Sequence, residues 1–320
     1  MKALFVGMVG PIAASAIAGW IDAGNEVAVF WRPTRPLGGS GGSDRRLGRF
    51  APRHSVAALA KSHGFDVREV PRLSAWPEAL AHARALNADV LISCYFPHVV
   101  PAGMLDLYPR RAFNLHPAPL PRYRGPTPVG SMVADDTLLT DGAMTLHLMV
   151  PELDAGDIIA QAPLGLGVDD DYEGMIAACC RAARSLARGP LQAFLSGDIE
   201  AVPQDPALVT HARSTIADLT LSPRMSFAQL QLRCAMLSHY GTLEVEGIND
   251  ARAGAGVVRI GDATGVPPKV SPFSLEMDSS DARVRINRLW PLRRKWTRIA
   301  NRYRMIAKLR RMERSSSQND

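Results

Sequence analysis

The chain has 320 residues, 47% hydrophobic and 21% charged, close to globular averages and long enough for about two domains. This excludes a wholly disordered chain, and no run of ~18 uninterrupted apolar residues is present to span a bilayer. Residues 283–314 hold thirteen Lys/Arg against one acid, Glu313, a net +12 within a total of +6, so the remainder carries −6. The four cysteines, Cys94, Cys179, Cys180 and Cys234, show no zinc-type spacing and are expected as buried free thiols of a reducing compartment.

Leu4-Phe5-Val6 reads as a buried strand. The chain turns at residues 7–11, where Pro11 suits a first helical turn. Residues 12–23 fit a helix stopped by Gly24-Asn25, and Val27 to Phe30 is a second strand. Lys2 followed by apolar and small residues also imitates a secretory signal. Structure is the favoured reading, because cleavage would delete the first strand of an α/β sheet. The Gly-rich stretch 37–43 lacks the Lys-Ser/Thr of a phosphate loop. A solvated loop and a substrate-covering lid are both open there. Residues 54–63 read as a helix and 66–70 as a strand. Residues 76–87 read as a helix with Trp76, Leu80 and Ala83 on one side, and 89–94 as a buried strand. Strands separated by helical patterns imply α/β architecture and a parallel sheet. Residues 112–116 form a short strand entering a Pro-rich loop, and 144–150 alternate as a strand. Residues 151–157 turn the chain and 158–164 return it. Residues 172–195 read as one long helix, with Asp169, Asp170 and Asp171 as solvated acids at its start. A boundary falls near 200–212, where Pro203, Asp205 and Pro206 cluster. Beyond it a helix runs from Ser226, as N-cap, to Leu237, among short strands broken by Gly and Pro.

In such sheets ligands bind beyond the carboxyl ends of the strands. The segment after Cys94 lies there, as do residues 113–129, followed by the 152–159 turn. Asn114 and His116 are two apart on a strand, so their side chains share one face. Asp154 sits on a turn that can approach that face. An amide, an imidazole and a carboxylate converging there suit acyl transfer. The amide N–H donates to a developing oxyanion, and the imidazole donates or shuttles a proton. The carboxylate fixes the imidazole and accepts the proton lost by an attacking amine. His147 is expected to be core packing, and His98 a surface-loop residue with substrate contact as the alternative.

Residues 114–125 and 153–156 resemble the folate-dependent formyltransferases. That family's pattern is Asn-x-His-Pro/Gly-x-x-Leu-Pro-x-x-Arg/Pro-Gly with a downstream Leu-Asp-x-Gly. The element order over residues 1–195 is similar as well. The resemblance implies a Rossmann-like α/β catalytic domain over 1–200 with a mainly parallel sheet. A smaller α+β or β domain, barrel-like, is expected over 213–282, and a basic amphipathic helix over 291–314. The implied co-substrate is 10-formyltetrahydrofolate, and no metal is implied. Asn114 would polarise its formyl group, His116 would stabilise the tetrahedral oxyanion, and Asp154 would orient His116 and help remove the amine proton. Ser93, Cys94, Tyr95, Phe96 and Pro97 would border the pterin, with Leu120, Pro121, Arg122 and Asp157 completing the folate side. For Asp157, a turn or cap role is the alternative. Tyr123, Arg124 and Gly125 would face the amine. Ala118 and Pro119 stand where the family often has Ser-Leu, and no proposed catalytic group is lost.

The expected acceptor is a small-molecule amine, an amino-sugar nucleotide first. Initiator tRNA, the substrate of methionyl-tRNA formyltransferases, stands second because residues 213–245 echo their C-terminal barrel only weakly. Hydroxyornithine, hydrolysis of the donor, and a non-catalytic folate-binding protein are further alternatives. The expected location is cytoplasmic, with contact at the inner membrane as a variant. Trp296, Ile299, Tyr303 and Ile306 fall at helical spacing among arginines. That segment reads as a helix docked on its own body, on anionic lipid, or on RNA phosphate.

Overall fold

Alternation along residues 2–7 sends Leu4 and Val6 to one side and Ala3 and Phe5 to the other, and all four are fully buried. A strand apolar on both faces belongs inside a parallel sheet covered by helices. The computed structural model describes residues 1–34, 41–213, 220–237, 243–271, 273–288 and 303–311. It contains a seven-stranded sheet with this strand, β1 (Lys2–Gly7), in its interior. In chain order follow α1 (Pro11–Asp22), β2 (Glu26–Pro33), α2 (Gly41–Phe50), α3 (Val56–His63), β3 (Asp66–Val70), α4 (Ala79–Ala85) and β4 (Val90–Cys94). Next are α5 (Ala102–Leu105), β5 (Ala112–His116), α6 (Pro128–Ala134), α7 (Leu138–Asp141), β6 (Ala143–Leu148), β7 (Ile158–Pro163), α8 (Tyr172–Arg188) and α9 (Pro190–Ser196). The strand order is β3-β2-β1-β4-β5-β6-β7. The first five strands in that order pair in parallel, while β6 runs antiparallel to both β5 and β7. The order reverses between β1 and β4, so the ligand edge lies at the carboxyl ends of the strands there.

Helices cover both faces. Ile17 and Trp20 of α1 and Cys179, Cys180 and Ala183 of α8 pack with Phe5, Ile92 and Phe113. The other face packs Leu4, Val6, Trp31 and Leu91 against Ala79, Ala83, Met104 and Tyr108. Gly19 permits the α1–α8 contact, since a Cβ there would lie 2.3 Å from the Arg184 carbonyl oxygen.

Several boundaries differ from the sequence expectation. Gly41, Gly42 and Ser43 open α2 and do not continue the Gly-rich loop; residues 35–40 lie outside the described set. The helix is anchored by Leu47, which is buried. Its Asp44 carboxylate accepts from the Val56 and Ala57 amides at 3.0 and 3.1 Å, at the start of α3. The long helix over 172–195 is two helices, because Pro190 has no N–H to continue the ladder and opens α9 instead. The helix expected over 76–87 is confined to Ala79–Ala85, after Pro77.

A smaller β/α region follows, with β8 (Thr220–Leu221), α10 (Phe227–Leu237), β9 (Leu243–Val245), β10 (Ile248–Gly261), β11 (Lys269–Val270), β12 (Ser274–Asp278) and β13 (Arg283–Arg288). Its sheet has the order β11-β12-β13-β10-β9-β8 and is antiparallel except for β8–β9. β13 carries this sheet to Arg288, beyond residue 282. Ser226 and Gln229 form a reciprocal cap on α10. The Gln229 amide donates to Ser226 Oγ at 3.2 Å, and the Ser226 amide donates to Gln229 Oε1 at 2.8 Å. Leu230, Cys234, Leu275 and Ile286 belong to the same apolar cluster as α1 and α8.

Residues 303–311 form a further helix, α11. Ile306 and Leu309 are buried in the main cluster. Lys308 Nζ pairs with Asp171 Oδ1 at 2.5 Å, and the Arg310 guanidinium lies over Phe50 at 5.5 Å. The apolar side of this helix is therefore docked on its own body, and Arg304, Arg310 and Arg311 are exposed. Trp296 and Ile299 lie outside the described residues. Among the described residues no helix is long and apolar enough to cross a membrane.

Candidate active site

Strand alternation builds the site. On β5, Phe113 and Leu115 face the α1–α8 core, which sends Asn114 and His116 to the opposite face. On β6, Met144, Leu146 and Leu148 face the same core, so Thr145 and His147 join Asn114 and His116. Register aligns these groups: Ser93 lies opposite Asn114, and Asn114 opposite His147. His116 lies opposite Thr145, and Thr145 opposite Gln161. The face that is apolar under β1 and β4 thus becomes a polar patch at the ligand edge.

Asp154 closes this patch from the turn after β6. Its Oδ1 accepts from Asn114 Nδ2 at 3.3 Å and lies 3.7 Å from His147 Nε2. Its Oδ2 accepts from the Gly125 amide at 2.9 Å and lies 3.6 Å from His116 Nδ1. The turn is tight: a Cβ on Gly156 would sit 1.9 Å from the Leu148 carbonyl oxygen. Asp154 itself has φ 54°, and the neighbouring loops hold Tyr123 at φ 63° and Tyr95 at φ 54°. Three non-glycine residues in the left-handed region around one site mark backbone held by its surroundings.

The hydrogen bonds fix the protons. His147 Nδ1 meets the Leu148 carbonyl at 2.8 Å. A carbonyl only accepts, so Nδ1 carries the hydrogen and Nε2 is left to accept from Asn114 Nδ2 at 3.1 Å. Burial pushes the His147 pKa down to about 4, reinforced by His116 nearby, so the ring is neutral at pH 7. His116 Nε2 likewise donates to the Tyr123 carbonyl at 3.0 Å. In the neutral ring Nδ1 is therefore the lone-pair nitrogen, facing Asp154. Burial lowers the His116 pKa, while Asp154 and the Tyr123 carbonyl act to raise it.

The sequence-derived candidates divide into three groups. Asn114, His116 and Asp154 come together as described. Ser93 is buried on the site face, whereas Cys94 turns into the core beside α8, so only its main chain can border a ligand. Burial raises the Cys94 thiol pKa. Tyr95 and Phe96 are half-buried and Pro97 is exposed, with the Phe96 and His98 rings 5.1 Å apart. Leu120 is buried, and Thr145 Oγ1 accepts from its amide at 3.2 Å. Pro121 follows a cis peptide. Arg122 reaches Asp141 Oδ2 at 2.9 Å, and the Asp157 carbonyl accepts from Leu148. The third group has its polar atoms engaged internally. Tyr123 Oη meets Thr137 Oγ1 at 2.8 Å. The buried Arg124 guanidinium donates to Gln204 Oε1 at 3.1 and 2.9 Å and to Glu152 Oε1 at 3.2 Å. The Gly125 amide is the donor to Asp154 described above.

Sequence reading missed the part played by five residues. Thr145 Oγ1 donates to the Ala118 carbonyl at 2.6 Å and accepts from Gln161 Nε2 at 2.9 Å. Gln161 also donates to the Leu120 carbonyl at 2.7 Å, which fixes the loop after His116. His147 packs in the core as expected, yet its ring also holds the Asn114 amide. Gln204 and Thr210 come from the segment read as a boundary, and Thr210 Oγ1 accepts from the Tyr123 amide at 3.0 Å. The period-two pattern through Thr145 and His147 was a usable signal for β6; nothing local pointed to Gln204.

A family model described as formyl transferase matches residues 45–185. A methionyl-tRNA formyltransferase of Nitratidesulfovibrio vulgaris (strain Hildenborough) is 30% identical over 260 residues, 79% of this chain and 75% of that protein. Among solved structures, the sugar 3N-formyl transferase WlaRD in the presence of dTDP and 5-N-formyl-THF superposes with a TM-score of 0.62 at 13% identity, over 90% of this chain and 98% of that one. The N-formyltransferase from Helicobacter canadensis, in complex with folinic acid and dTDP-3-aminofucose, gives a TM-score of 0.62 at 14% identity, over 91% and 100%. The structural likeness extends through the smaller β/α region, and the sequence likeness reaches across three quarters of a relative: this chain belongs to the formyl transferase family.

Proposed function

We propose that the protein transfers a formyl group from 10-formyltetrahydrofolate to an amine of a small metabolite, with an amino-sugar nucleotide as the favoured acceptor. The observation that carries this is the convergence of Asn114, His116 and Asp154, with contacts of 3.3 and 3.6 Å to the one carboxylate. The amine nitrogen attacks the formyl carbon and a C–N bond forms. The C–N bond to folate N10 then breaks. The proton lost by the amine ends on N10, so products are a formamide and tetrahydrofolate. Asn114 Nδ2 donates to the developing oxyanion, which competes for the longer of its two hydrogen bonds. The lone pair on His116 Nδ1 receives the amine proton, and Asp154 beside it stabilises the imidazolium. Here His116 serves as shuttle; oxyanion stabilisation by a neutral ring would require its Nε2–H, which the Tyr123 carbonyl holds.

The folate side of the proposed site is the Ser93–Pro97 strand end with Leu120, Pro121, Arg122 and Asp157. On the acceptor side Tyr123, Arg124 and Gly125 form wall and scaffold, because their polar atoms are already engaged. The sugar-nucleotide preference draws support from structural neighbours that align over nearly their whole length and were solved with dTDP or dTDP-3-aminofucose. Initiator tRNA is the second reading, supported by 30% identity to a methionyl-tRNA formyltransferase. Tetrahydrofolate release from 10-formyltetrahydrofolate, measured with and without amino-sugar nucleotides, hydroxyornithine or charged initiator tRNA, tests the proposal. Release dependent on an amino-sugar nucleotide, with a formyl mass gain on that amine, is the expected result. Release dependent on tRNA moves the acceptor to the second reading. Release without any amine makes the protein a hydrolase, and binding without release under every condition overturns transfer.

A further inference from the structure

Gln204 lies after the last strand of the large sheet, yet its side chain ends inside the site. Its Nε2 donates to the Asp154 carbonyl at 2.8 Å and to the Gly156 carbonyl at 2.7 Å. Its Oε1 accepts from Arg124 Nε and Nη2. One amide thus uses both hydrogens and its oxygen to tie the Asp154 turn to the loop that follows His116. The backbone around it is anchored on both sides. Val202 and Ile158 exchange amide–carbonyl bonds of 2.8 Å, and Thr210 and Ala212 bond to the main chain of Arg124 at 3.0 and 2.7 Å.

We propose that Gln204 is a positioning residue that holds the Asp154 carboxylate against His116 and Asn114. Asp154 sits at φ 54°, a left-handed conformation that costs an L-residue energy, though Asp less than most, and that contacts around it help to hold. Of the two carbonyls that Gln204 grips, one is Asp154's own and the other, on Gly156, lies two residues further along the same turn. Without those donors the turn can relax, and the carboxylate leaves its place 3.6 Å from His116 Nδ1. A misplacement of ~1 Å at a reacting group can cost about 10²-fold in rate.

The inference rests on the proposed role of Asp154, so its test includes a readout that needs no turnover. The groups facing His116 are Asp154 from the turn and His147 from β6, with Arg124 acting on His147 from the neighbouring loop. Of these, Asp154 is the one that raises the His116 pKa by its charge. In Gln204→Met, a neutral side chain of similar length, the imidazole titration of His116 followed by NMR is expected to shift its midpoint to lower pH. In the same variant kcat is expected to fall about 10- to 100-fold, with the folate KM within about twofold of wild type. Gln204→Glu keeps an acceptor for Arg124 but loses both donors. It is expected to show the same fall in kcat with the Arg124 pairing kept. An unchanged His116 midpoint in folded Gln204→Met overturns the inference, as does full kcat in Gln204→Glu. A wild-type protein that transfers no formyl group overturns the proposed function and leaves the His116 comparison readable.

Discussion

The amide of Asn114 has one orientation open to it. His147 commits Nδ1–H to the Leu148 carbonyl, so its Nε2 must accept, and Asn114 must present Nδ2. The same logic leaves His116 with its lone pair toward Asp154. For His116 acting as a base, activity is expected to fall as pH drops through its pKa, which burial places below the ordinary 6.5. Asp154→Asn removes a charge that raises that pKa. The acid limb of the rate profile should move to lower pH, and kcat should drop by about 10²–10⁴-fold. Stopped-flow release of tetrahydrofolate across pH 4–8 (about four units) reads both effects. Asn114, His116 and Asp154 were legible because their spacing is local and their chemistry is unusual on a strand. The partners that orient them were not. His147 looks like any apolar-strand histidine, and Gln204 reaches the site only through a long-range return of the chain.

Pattern and punctuation explain most of the secondary structure. β3 and β5 match their expected spans because each is a short run between turn residues, β5 mostly buried and β3 an edge strand with only Val70 buried. Apolar periodicity overruns the helices at Gly189-Pro190 and around Pro77, since it continues across a break that the backbone cannot cross. Two substitutions probe the elements themselves. Gly19→Ala places a methyl 2.3 Å from the Arg184 carbonyl oxygen, a backbone atom. The α1–α8 contact should open at a cost of about 1–3 kcal/mol, measured by urea unfolding. Ser226→Ala removes one half of the reciprocal cap on α10. It should cost about 1 kcal/mol, and Gln229→Ala on the same background should add less than it does alone, because the two halves share one turn.

The large sheet and the smaller β/α region share one apolar cluster, so they are expected to melt together. Buried histidines whose pKa is lowered act on the acid limit of that transition, His116 among them. His54 is lowered to about 4 by burial, with Arg184 and Arg53 adding to the effect, and its Nδ1 meets Ser15 Oγ at 2.9 Å. His147 is lowered to about 4 as well. Each binds its proton more readily once unfolded, at the ordinary 6.5. Their contribution is therefore complete above 6.5 and is lost as pH falls toward 4. The loss is up to about 3 kcal/mol for His54, and His147 adds to it in the same direction. Calorimetry should show the melting temperature falling over that window, and His54→Gln should flatten part of the fall.

The docking of α11 has a consequence for synthesis. Ile306 and Leu309 fill a place in the cluster that includes Leu47 and Met175, residues translated far earlier. The strands of the large sheet are all complete by Pro163. A nascent chain halted before residue 303 can therefore form its sheet and its candidate site while an apolar patch beside Phe50 and Asp171 stays open to water. Such a chain is expected to be chaperone-dependent and quick to aggregate. The turns of α11 act as a latch that a translating ribosome sets only after the sheet and the candidate site have been made.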